Sequence, residues 1–231
     1  MGGLDLAAIL GALSVWALPV LIAITFHEAA HGYVAWRLGD PTAFVRGRVT
    51  FNPLRHIDPV GTILIPSFLL IAGAPFLFGY AKPVPVNFNR LKNPRRDMVL
   101  VAAAGPGINL ALAVVSVLLI HVVPLLPQST GMWLQENLLN SLIINLVLAV
   151  FNMFPLPPLD GGRVAVGLLP DALAFRLARL ERVGFLIIIG GLFLLPWLTR
   201  EIGLDFNPIE FIIGRPVGFL AQMILSLAGF S

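Results

Sequence analysis

The chain of 231 residues has no cysteine and little charge. The first absence removes disulfides and thiolate metal sites together, so any transition metal held here must be bound through His, Asp or Glu. Charged residues make up 12% of the chain, about half the share of an ordinary soluble domain, while 58% is hydrophobic. That balance belongs to a protein solvated by lipid and argues against a nucleic-acid partner. Internal repeats, low-complexity tails and blocks of like charge are also missing, which leaves one membrane-embedded domain over residues 1–231. The first apolar stretch lacks a basic leading region, so it is expected to stay in the mature protein.

What is present is a series of apolar runs. Crossing the hydrocarbon core takes about 20 apolar residues in a helix. Leu6 to Leu38 exceeds that length, with a bend expected at Pro19, and ends at Gly39, Asp40 and Pro41. Met98 to Val123 and Leu138 to Phe154 read as spans, Val183 to Leu198 as a short one, and Pro208 to Phe230 as a segment broken at Gly214, Arg215 and Pro216. Val60 to Phe78 is interrupted by Pro66, Gly73 and Pro75. The fold expected is an all-α polytopic membrane protein of about five to six membrane segments.

Thirteen of the fifteen Lys and Arg residues fall in three places. Arg37, Arg46, Arg48 and Arg55 follow the first helix; Lys82, Arg90, Lys92, Arg95 and Arg96 precede the Met98 span; Arg163, Arg176, Arg179 and Arg182 follow Asp160. Residues 123–137 carry none. Because basic loops stay cytoplasmic, the three groups share that face. Val60 to Phe78 would then leave and return on one side as a re-entrant hairpin, broken near Pro66 or Gly73. One ordinary crossing with reversed loop charges is the alternative.

His27-Glu28-Ala29-Ala30-His31 is an HExxH motif inside the first apolar helix. Residues four apart share a helix face, so both imidazoles can reach one ion, and Glu28 beside them can take a proton from a water. Ionisable groups at that depth are expensive and by default functional. A catalytic zinc takes three protein ligands and keeps one open position. Asp160 is the obvious third candidate, although an aspartate followed by glycines also reads as a helix N-cap.

Taken with His27 to His31, the run Asn152-Met153-Phe154-Pro155-Leu156-Pro157-Pro158-Leu159-Asp160-Gly161-Gly162 resembles the site-2 protease family of intramembrane zinc metalloproteases, whose signatures are HExxH and NxxPxxPLDG. Ala104-Gly105-Pro106-Gly107-Ile108-Asn109 is similar to that family's AGPxxN element. The resemblance covers about Thr25 to Gly162 and is to the short, stand-alone branch. It implies one Zn2+ held by His27, His31 and Asp160, with Glu28 catalytic and Asn152 contacting substrate or polarising its carbonyl. Asn109 is grouped with Asn152 in that role. It also implies single-span membrane proteins as substrates, in a prokaryotic plasma membrane, with the site open to the cytoplasm.

Gly79 to Val86 has the proline and valine content of an edge strand. It is expected to form a short membrane-associated β element in which Lys82, Pro83, Val84 and Pro85 pair with substrate backbone. A plain proline-rich connector is the alternative. His56 and Asp58 are candidates for gating the cavity, against the simpler reading of a locally bonded histidine. A metal-ion transporter and a non-cleaving membrane-protein binder are the rival functions. Transport gives no reason for a glutamate beside the first ligand.

Overall fold

Backbone inside lipid must satisfy its own hydrogen bonds, and the α-helix does so within one segment. The computed structural model describes residues 6–65, 67–68, 81–203 and 207–230. Its helices are α1 (Leu6–Arg37), α2 (Thr42–Val45), α3 (Pro94–Ile120), α4 (Gln128–Asn152), α5 (Asp160–Leu168), α6 (Asp171–Arg179), α7 (Glu181–Glu201) and α8 (Arg215–Leu227). Among the described residues, five helical stretches are long and apolar enough to cross a membrane: α1, α3, α4, α7, and α8 with the turn before it.

The distribution of polarity is the reverse of a soluble protein's. Asn109 and Asn145 are wholly buried, while Leu118, Phe185 and Phe219 lie about half exposed or more. Such an exterior would be costly in water and is at ease against acyl chains. The chain is an all-α polytopic membrane protein. Its core is sealed where Ala113 and Val117 of α3 meet Leu142 and Leu146 of α4 and Val217, Ala221 and Ile224 of α8. Small residues at these contacts let the backbones approach closely, which is how helices associate in lipid.

One end of α1 is tied to the entry of α3. The Lys92 amide donates to the Leu38 carbonyl at 3.1 Å, and the Asn87 amide to Asp40 Oδ2 at 2.6 Å. Farther on, the Lys82 amide donates to the His56 carbonyl at 2.9 Å, and Arg48 donates to the carbonyls of Arg55 and Lys82. The chain between His56 and Lys82 therefore returns to the place it left. A single crossing would separate these ends by about 30 Å. The expected break near Pro66 or Gly73 lies outside the described residues. The described part of that segment opens with a π-helical turn, Pro59–Leu64, capped by Asp58, whose Oδ1 accepts from the Val60 and Gly61 amides.

Three expectations are corrected. The β element over 79–86 is not formed among the described residues: residues 81–87 have no strand partner, because their inward amides bond to His56, Glu28 and Asp40 instead. Helix α4 begins at Gln128, ten residues before the apolar run, since polar but helix-permitting residues extend it beyond hydrocarbon depth. The break at Gly214 to Pro216 is a π-helical turn, Glu210–Gly214, that continues into α8. Pro216 sits in the first turn of α8, where a missing N–H costs little.

Candidate metal centre

Helix α1 presents His27 and His31 one turn apart on its buried face. Each ring is fixed through Nδ1. His31 Nδ1–H donates to the Val101 carbonyl at 2.7 Å, and His27 Nδ1–H to Asn109 Oδ1 at 2.6 Å, both on α3. In the neutral rings a proton on Nδ1 leaves the lone pair on Nε2, and the two Nε2 atoms face each other at 3.1 Å. Gly105 of α3 makes room for them. A Cβ there would stand only 2.7 Å from His27 Nε2 and closer still to His31 Nε2.

Asp160 completes the group. After α4 the chain runs through Met153 to Leu159 in proline-rich turns and starts α5 at Asp160, which is 7% exposed. Its carboxylate makes no cap to its own helix, so the N-cap alternative does not apply. Oδ2 instead lies 3.2 Å from His27 Nε2 and 3.2 Å from His31 Nε2. Gly161 allows this turn, since a Cβ on it would collide with the Met153 carbonyl.

Two imidazole nitrogens and a carboxylate oxygen thus form a nearly equilateral triangle of donor atoms. Asp160 Oδ2 is a buried atom without a hydrogen-bond donor. Such an arrangement is repulsive until a cation enters it. Tetrahedral bonds of about 2.0 to 2.1 Å place ligand atoms about 3.3 Å apart, so the donor set and its spacing fit one zinc ion. Among the described residues, His27, His31 and Asp160 are the one group of three such side chains with donor atoms within 4.8 Å of one another.

The other sequence-derived candidates are placed as follows. Glu28 is partly buried, and its Oε2 accepts the Val84 amide at 2.7 Å, so the extended segment lies against the glutamate of the motif. Asn152 closes α4, its Nδ2 donating to the Leu148 carbonyl at 3.0 Å. Asn109 bonds to His27, Asn145 and the Ala23 carbonyl, so its bonding capacity is used inside the protein. His56 is buried outside the trio, with Nε2 at 2.9 Å from the Thr50 carbonyl, and Asp58 caps the π-helical turn. Sequence reasoning missed Asn145 and Ser141, which were visible as polar residues four apart in an apolar helix.

Three imidazole and carboxylate donors around one point, with a glutamate beside them, define an HExxH metal centre built into a membrane helix bundle. Relatives agree. YwhC of Bacillus subtilis is 40% identical over 184 residues, which are 74% of this chain and 77% of that protein. Rip2 of Mycobacterium tuberculosis is 35% identical over 143 residues, 61% of this chain and 52% of that one. Rip2 of Mycolicibacterium smegmatis is 31% identical over 183 residues, 78% and 66%. The name of each assigns it provisionally to the zinc metalloproteases. No family model and no solved structure matches. The chain belongs to the site-2 protease family.

Proposed function

We propose that this protein is an intramembrane zinc metalloprotease that hydrolyses peptide bonds of single-span membrane proteins, working in a bacterial plasma membrane with its site open to the cytoplasm. The observation that carries the reading is the triangle of His27 Nε2, His31 Nε2 and Asp160 Oδ2, with sides of 3.1 to 3.2 Å, beside Glu28 of the same motif. Names of the relatives support the zinc and protease parts. The grouping of basic residues supports the orientation.

His27, His31 and Asp160 would hold the ion. When bound, it supplies a Lewis acid that polarises a carbonyl and brings the acidity of water to near neutrality. Glu28 takes the proton of the attacking water and returns it to the leaving amine. Oε2 accepts the Val84 amide, a bond that holds the carboxylate in place for this task. Asn152, at the mouth of the proline-rich turns, offers a neutral amide to the substrate carbonyl.

A helical substrate hides its scissile bond in its own hydrogen bonds, so it must be drawn out beside Glu28. Residues 82–85 are the segment suited to that. Among them only Lys82 and Val84 have an amide hydrogen, and both are spent on His56 and Glu28. Arg48 already donates to the carbonyls of Lys82 and Pro83, so a substrate strand laid there has those of Val84 and Pro85 as acceptors and must bring its own N–H groups.

The test is reconstitution of purified protein with a panel of single-span substrates, beside Glu28→Gln and beside chelator. Metal-dependent cleavage that disappears in Glu28→Gln is the expected result. Full cleavage by that variant removes Glu28 as the base, and zinc flux without cleavage favours a transporter.

A further inference from the structure

Asn109 can offer His27 either its amide oxygen or its amide nitrogen, and only the first leaves Nε2 of His27 with a lone pair. When Oδ1 faces the ring, Nδ1 carries the proton. With the amide turned over, Nδ2 would require the Nδ1 lone pair and send the proton to Nε2, where it blocks a metal. Two acceptors decide between these states by receiving Asn109 Nδ2: Asn145 Oδ1 at 2.7 Å and, more distantly, the Ala23 carbonyl at 3.3 Å. Asn145 is itself held against turning over. Its Nδ2 donates to the Ser141 carbonyl at 2.8 Å and reaches Ser141 Oγ at 3.2 Å, one helical turn back. Both asparagines are 0% exposed.

We propose that Asn145 is a positioning residue for the metal centre: through Asn109 it sets the ring of His27 in the form that can bind an ion. Backbone geometry of α4 at Ser141 thereby reaches the metal ligand of α1 by way of α3. The residue touches neither ion nor substrate, and the inference rests on His27 being a ligand. A group bonded directly to a metal-bound histidine, as Asn109 is to His27, is worth about tenfold to a hundredfold in affinity, and Asn145 acts through that group.

Zinc affinity, measured by competition with a chromophoric chelator on the full chain in nanodiscs, tests it without reference to proteolysis. Asn145→Leu is expected to weaken zinc by about tenfold to a hundredfold, with helix content by circular dichroism unchanged. Asn109→Asp presents an oxygen to His27 whichever way it turns, so in that background the same replacement is expected to cost less than about threefold; the coupling between the two is the signature. If Asn145→Leu lowers the folded fraction, Asn145→Ser is measured instead, its side chain ending before it reaches Asn109. Unchanged affinity in the asparagine background overturns the proposal. An equal loss in both backgrounds also overturns it, because that marks general packing. Failure of the unmodified protein to hold zinc would instead defeat the metal-site reading itself.

Discussion

The amide of Val84 donates to Glu28 Oε2 at 2.7 Å, joining the extended segment before α3 to the glutamate of the HExxH motif. Pro83 and Pro85 on either side have no amide hydrogen, so Val84 alone can make this bond within that stretch. Val84→Pro deletes the donor while keeping the chain extended, and Val84→Ala keeps the donor. Expected is a kcat lower by at least about tenfold in Val84→Pro, within the range a positioned general base contributes, with zinc content unchanged. Val84→Ala should stay within about threefold of the unmodified protein. Single-turnover cleavage assays on both variants check it.

Asp160→Asn replaces the charged donor by a neutral amide. Zinc affinity is expected to fall by more than about a hundredfold, since even groups that merely support a ligand are worth tenfold to a hundredfold. Chelator should lower the melting temperature of the unmodified protein and leave that of Asp160→Asn nearly unmoved, because only the former gains stability from a bound ion. Calorimetry with and without chelator reads both.

Gly105→Ala places a methyl group against the metal-facing nitrogens of His27 and His31. Overpacking of this kind costs about 1 to 3 kcal/mol, and here it also pushes the donors apart. The expected outcome is loss of bound zinc together with a lower melting temperature. Gly107→Ala, on the same helix with no atom near the added Cβ, is the control and should retain both. Metal analysis of the purified variants distinguishes them.

Asp40 joins the end of α1 to the segment before α3. Burial works to raise its carboxyl, but the Thr42 hydroxyl, the amides of Asn87 and Thr42, and the nearby Arg90 charge hold it below the usual carboxylate range. A depressed folded value means that the unfolded chain takes up the proton first. The contribution is therefore fully present above the unfolded value of about 3.9 and is lost as pH falls through the lower folded value. Asp40→Asn should be less stable than the unmodified protein at pH 7, and the gap should close on acidification below about pH 4. Denaturation midpoints across that range measure it.

Much of the site was legible because its chemistry is local in the chain. His27 and His31 share a helix face by spacing alone, and Glu28 follows from the motif. Asp160 was different: spacing left it open between ligand and N-cap, and in the fold it makes no cap bond and lies 3.2 Å from both histidines. The return of the chain between His56 and Lys82 was anticipated from the placement of basic residues. The β element at 79–86 was misjudged because strand propensity says nothing of partners, and the inward amides of that stretch are taken by side chains and loops. Asn145 was overlooked for a related reason. Its side chain accepts from Asn109, 36 residues away, a bond that no periodicity within α4 reveals.

X-ray absorption at the zinc edge, on purified protein reconstituted with one equivalent of the metal, addresses the centre itself. The expected first shell has two imidazole nitrogens and carboxylate oxygen at about 2.0 to 2.1 Å, with the outer-shell scattering of two histidine rings. A shell without imidazole scattering, or a protein that retains no zinc while fully folded, would contradict the account.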